Sequence, residues 1–147
     1  MREVPLSNEE TRVIFTGQSL SGLADLEGSK QKAVIHCLIS IIESASKPRS
    51  RAHEQIANLD IFTAGSTIRL YTKVVEDVPR GNEKYHLIYL FYIDHKHEYA
   101  RSDLVEYSER AQANMEIATS FETVCDVEEY FEEQNAYDAD GLRAFLQ

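Results

Sequence analysis

Nine consecutive positions, Tyr85 to Ile93 (YHLIYLFYI), hold only one residue that is neither aliphatic nor aromatic, His86. A strand with water on one face alternates apolar and polar side chains, so an unbroken run of this kind reads as a strand buried on both faces. Just before it, Ser66 to Val75 (STIRLYTKVV) alternates, with Ile68, Leu70, Thr72 and Val74 on one face and Arg69, Tyr71, Lys73 and Val75 on the other. Glu76 to Asn82 (EDVPRGN) has the chemistry of a turn. The two segments therefore predict a hairpin whose second member is central to a sheet. At 147 residues the chain can build one hydrophobic core around that hairpin and is too short for two ordinary domains.

The other elements follow from the same patterns. Thr11 to Thr16 (TRVIFT), β-branched and closed by Gly17, reads as a first strand, and Gly17 to Gly22 as a turn-rich stretch. Ala33, Val34, Cys37, Leu38, Ile41, Ile42 and Ala45 recur at helical spacing, with Ile35 and Ile39 widening the stripe. That helix must end near Lys47, because Pro48 cannot continue its ladder. Leu59 to Phe62 reads as a short strand. Ser102 or Asp103 can cap a helix through Leu104, Tyr107, Ala111, Met115 and Ala118. Residues 120–147 read as a further helix with an acidic exposed face, then a final turn holding Leu142, Phe145 and Leu146. The expected fold class is α+β: a small twisted antiparallel or mixed sheet, helices packed on one side, and a C-terminal acidic helical extension. Residues 1–112 form the body and residues 113–147 the extension packed on it.

Composition matters through its placement. The net charge is −10, which by itself speaks against nucleic acid as a partner. Residues 111–147, however, hold 9 acidic groups and only one basic group, Arg143, while the first 110 residues hold 14 basic and 16 acidic groups. A nearly neutral body can still present a local basic face. Lys47 to His53 (KPRSRAH) carries three formal cations and no acid, which suits either a solvated loop or an anion-binding one. No apolar run reaches the roughly 20 residues of a membrane span, and the acidic start carries no export signal, so a cytoplasmic location without membrane association is expected. Cys37 and Cys125 lie far apart among apolar neighbours and read as buried thiols of a reducing compartment.

The order of elements, the I-R-L-Y strand (Ile68 to Tyr71), the apolar later strand and the H-K-x-x-Y element (His95, Lys96, Tyr99), followed by D-L-x-x-Y-x-x-R-A (Asp103 to Ala111), together resemble the RelE/ParE superfamily of small toxins, in its HigB-like branch. The resemblance covers about residues 11–112. It implies a ribosome-associated, metal-independent endoribonuclease that cleaves messenger RNA, needs no cofactor, and is neutralised by a cognate antitoxin protein. Cleavage of this type needs a base, an acid and a phosphate clamp. His95, His97 or Tyr99 can supply the first two. Arg69 is placed like the family's strand arginine and is the expected clamp, with Lys73 and Lys96 adding charge. Lys47, Arg49, Arg51 and Arg101 are expected to guide the RNA backbone.

Two other readings use the same residues. His95 and His97 at strand spacing form half of a metal site, which Glu98, Asp94, His86 or His53 could complete. A non-catalytic inhibitor or immunity-type protein, covering a basic active site with Glu128, Glu129, Glu132 and Glu133 in place of nucleic-acid phosphates, accounts for the acidic end without any enzyme.

Overall fold

The computed structural model describes residues 11–44, 48–56, 59–65, 67–80, 83–94 and 136–146, together with 109, 110, 112, 113 and 116. Its centre is a five-stranded mixed sheet, an α+β architecture, formed by β1 (Thr11–Phe15), β2 (Glu54–Ile56), β3 (Leu59–Ala64), β4 (Ile68–Arg80) and β5 (Glu83–Asp94), in the order β1-β5-β4-β3-β2. β2 to β5 run as an antiparallel meander, and β1 returns to pair parallel with β5. The middle strand is thus β4, and β5 is the interior strand next to it. Leu87 to Phe91 on β5 are nevertheless almost wholly buried on both faces, as the absence of alternation requires.

Helices α1 (Gly17–Asp25) and α2 (Gly28–Ile42) cross one face of the sheet. Val34, Ile35, Leu38, Ile41 and Ile42 of α2 share a core cluster with Val13, Phe62, Leu70, Val74, Ile88 and Leu90. The segment expected to be a turn is therefore helix α1. Its glycines and serines are poor helix formers, but a capping box offsets them: Thr16 Oγ1 accepts from the Ser19 N–H at 3.1 Å, and the Thr16 N–H donates to Ser19 Oγ at 2.9 Å. The far end of α1 is tied to α2 by Gln31 Nε2, which donates to the Leu23 carbonyl at 2.9 Å.

The hairpin also differs from expectation. Glu76 to Arg80 are strand rather than turn: β4 continues through a register irregularity between Val75 and Val78 and reaches the pairs Pro79 with Lys84 and Arg80 with Glu83. Pro79 has no N–H to donate, a loss best tolerated at the end of a ladder. Between β3 and β4 the chain turns at Gly65, whose φ of 61° is a left-handed conformation that favours glycine.

The chain's end belongs to the core. Tyr137 bridges to Val13 through both backbone bonds (Val13 N–H to Tyr137 O, 2.9 Å; Tyr137 N–H to Val13 O, 2.8 Å), which covers the outer edge of β1. Asp138 then caps the short helix α3 (Ala139–Arg143), whose Leu142 and Ala139 join the core under α2. Arg143 pairs with Glu43, just beyond α2. Glu109, Arg110, Gln112, Ala113 and Glu116 are helical, as the spacing predicted. The acidic stretch 117–135, with Cys125, lies outside the described residues.

Candidate functional site

β4 places Arg69, Tyr71 and Lys73 on the sheet face away from α2, as the alternation predicted. That face is not an open platform. Tyr71 is 0% and Lys73 9% exposed, and Ile61, Leu87 and Tyr89 around them are buried as well. Burial is the largest influence on Lys73 and lowers its ammonium below the ordinary lysine range; Asp60 opposes this and Arg49 adds to it. Lys73 is thus a poor surface cation for a nucleic-acid backbone. Arg69 differs: its side chain is 34% exposed and pairs with Glu54 of β2 at 3.8 Å. Across the ladder it stands opposite Thr63 of β3 and Asp94 of β5.

The basic turn divides into two roles. Pro48–Arg51 forms a single 3-10 turn. Arg49 points back into the sheet, donating from Nη2 to the Val74 carbonyl at 2.8 Å while its Nε lies 3.6 Å from Asp60 Oδ1. Asp60, 1% exposed, also accepts from the Val74 N–H at 2.9 Å and from Gln55 Nε2 at 2.7 Å. Arg49 is therefore committed to the fold. Arg51 is exposed and leans onto α2, donating to Ser40 Oγ at 3.2 Å. Lys47, His95, Lys96, His97, Tyr99 and Arg101 lie outside the described residues.

Of the residues named to complete a metal set with His95 and His97, Glu98 lies outside the described residues, and His86 and Asp94 stand far apart. His86 is buried opposite Thr11, whereas Asp94 lies at the other end of β5, about 25 Å away at the rise of a strand. His53 is exposed at the start of β2. Among the described residues, no three His, Cys, Asp or Glu side chains are grouped as a metal site requires, and no helix is long and apolar enough to cross a membrane.

Two features escaped the sequence pattern. One is the Asp60 carboxylate, buried beneath Arg49. The other is a cleft beside α2 lined by His36, Cys37, Ser40 and Arg51, residues from two separate segments. Comparison of the chain with protein-family models, curated proteins and solved structures finds no match in any of the three.

Proposed function

We propose that this chain is a cytoplasmic endoribonuclease toxin that cleaves messenger RNA in association with the ribosome and is held in check by a cognate antitoxin protein. One observation carries the reading: Arg69, the half-exposed cation of the sheet, stands in register opposite Asp94, the residue directly before His95-Lys96-His97. The order of elements, a strand, a helical region, a basic turn and an antiparallel meander, also supports the resemblance to the RelE/ParE toxins.

In the proposed reaction the 2′-hydroxyl attacks the adjacent phosphorus, forming the P–O2′ bond while the P–O5′ bond breaks. One of His95, His97 and Tyr99 removes the 2′ proton and another protonates the departing 5′ oxygen, leaving a cyclic phosphate and a 5′-hydroxyl. Arg69 binds the non-bridging oxygens, where charge grows in the transition state. The test is cleavage of messenger RNA, with and without translating ribosomes and in the presence of EDTA. No cleavage by the full chain in either setting, or undiminished cleavage by His95→Ala, His97→Ala and Arg69→Ala, rules the reading out.

A second reading has its own observation. Arg49 is engaged by Asp60, and Lys73 is almost wholly enclosed, so two of the expected RNA contacts offer a ligand less than their charge suggests. A non-catalytic inhibitor that covers the basic site of another nuclease needs neither. Glu→Gln substitution at 128, 129, 132 and 133 is the test: it weakens capture of a basic nuclease under this reading and leaves RNA cleavage intact under the first.

A further inference from the structure

Beside the sheet, on the helix side, α2 and the open edge of β3 border an open cleft of about 460 Å³, within the size range of small-molecule sites. β2 ends its pairing at Ile61, so Thr63 is left at an uncovered edge. There the Cys37 thiol, one of the lining groups, reaches the Thr63 carbonyl at 3.7 Å. The turn at Gly65 brings the chain back against α2, where a side chain at that position would meet Ala33.

The cleft has two chemically distinct sides. Arg51, Ser40 and His36 provide a guanidinium, a hydroxyl and an imidazole, while Ala33, Cys37 and the barely exposed edges of Ile41 and Phe62 provide apolar surface. In a chain with 25 acidic residues, none of the described lining residues is a carboxylate. Arg49, Arg69 and Arg143 each pair with an Asp or Glu, whereas Arg51 makes no ion pair among the described residues; its guanidinium is oriented only by the Ser40 hydroxyl. A guanidinium with no carboxylate partner among the described residues, set beside apolar surface in a cleft, suits an anionic head on an apolar body.

We propose that this cleft binds a small organic anion, its phosphate or carboxylate head held by Arg51 and Ser40 and its apolar body resting against Ala33 and Cys37. The Cys37 thiol forms part of the wall and takes no part in covalent chemistry. The assignment shares Arg51 with the ribonuclease reading, which has it guide RNA, but its test contains no RNA, so either can fail without the other.

The experiment is calorimetric titration of the full chain with phenyl phosphate, phenylacetate, inorganic phosphate and benzyl alcohol. At least one of the two aryl anions binds at least about tenfold more tightly than inorganic phosphate or benzyl alcohol, since only these probes use both sides of the cleft. The tighter of the two identifies the head group. Arg51→Ala weakens that binding about tenfold or more, the scale of a lost charge-assisted hydrogen bond, and Arg51→Lys, which keeps charge without the fork, falls between. Melting temperature and far-UV circular dichroism, measured alongside, stay at wild-type values because Arg51 is exposed. Failure of both aryl anions to bind at millimolar concentration overturns the proposal, and so does equal affinity in wild type, Arg51→Ala and Arg51→Lys.

Discussion

Arg49 and Asp60 together satisfy the backbone of Val74 at the point where β3 has run out of residues. The guanidinium donates to the Val74 carbonyl, the carboxylate accepts from the Val74 N–H, and the two side chains face each other at 3.6 Å. A side-chain pair thus stands where a neighbouring strand would otherwise be, and it anchors the basic turn to the middle of the sheet.

Removing the buried half of this pair is the costlier change. Asp60→Ala leaves the Val74 N–H and Gln55 amide without their acceptor and is expected to cost about 3 kcal/mol in urea unfolding. Arg49 is 42% exposed, so water replaces part of what Arg49→Ala removes, and the cost falls to about 1 to 2 kcal/mol. The double variant should cost less than the two single changes added together. An Asp60→Ala protein within about 0.5 kcal/mol of wild type contradicts this account.

Lys73 gives a pH signature of the covered face. Its folded-state pKa is lowered, so between that value and 10.5 the unfolded chain binds more protons than the folded one, and stability rises with pH across this window. Below the window the burial of the ammonium is a constant penalty. Lys73→Met removes it: the variant should have the higher urea midpoint at pH 7, with wild type gaining on it as pH approaches 10.5. Because other titrating groups are common to both proteins, the difference between them isolates Lys73. A lower midpoint for Lys73→Met at pH 7 means the ammonium has better partners than its surroundings indicate.

The strands were readable because burial writes a period into sequence. The unbroken run of β5 and the alternation of β4 reflect, respectively, two enclosed faces and a division of side chains between faces. The hairpin's turn lies further along than composition indicates, because Val78 to Gly81 have turn-like composition while the strand conformation of Pro79 and Arg80 depends on pairing with Lys84 and Glu83. Helix α1 leaves no clear local pattern because its residues have weak intrinsic propensity and its stability comes from the Thr16 cap and from the packing of Leu23. Of the site, Arg69 is singled out by the resemblance to the family's strand arginine, and the alternation of β4 gives the face it stands on. The separate fates of Arg49 and Arg51, two residues apart, depend on Asp60 and Ser40, which no local pattern links to them.

The end of the chain should prove structural. Leu142 is wholly enclosed, and Leu142→Ala is expected to cost about 2 to 5 kcal/mol through lost contacts and the cavity left behind. Arg143, paired with Glu43 and Asp140 but open to solvent, should be replaceable by alanine without measurable change. Chemical unfolding of the two variants separates core from surface at adjacent positions. Truncation before residue 136 also removes the Tyr137 bridge that covers Val13, so the acidic stretch is better tested by neutralising its glutamates than by deletion.

Arg69 can be tested without much risk to the fold. Its ion pair with Glu54 joins two partly exposed side chains, so Arg69→Ala should change stability by less than about 1 kcal/mol. If Arg69 holds the phosphate, the same substitution lowers the rate of RNA cleavage by about 10² to 10³. Parallel unfolding and single-turnover cleavage measurements decide the matter. A large loss of stability together with a small loss of rate assigns Arg69 to the scaffold.

The Cys37 thiol separates a wall residue from a nucleophile. Burial, the largest influence, raises its pKa from 9.0 to about 11, with Arg51 pulling the other way. At pH 8 such a thiol has about a hundredfold less thiolate than an ordinary cysteine, and thiolate is the reactive form. In a Cys125→Ser background, alkylation of Cys37 by iodoacetamide should be slower than that of free cysteine by at least that factor and should keep rising beyond pH 10. Arg51→Ala removes the one opposing influence and slows it further. The same shift makes stability fall as pH rises past 9.0, since only the unfolded thiol then readily loses its proton. Alkylation at the rate of free cysteine contradicts the half-buried position beside Thr63 and turns Cys37 into a reactive group of the cleft.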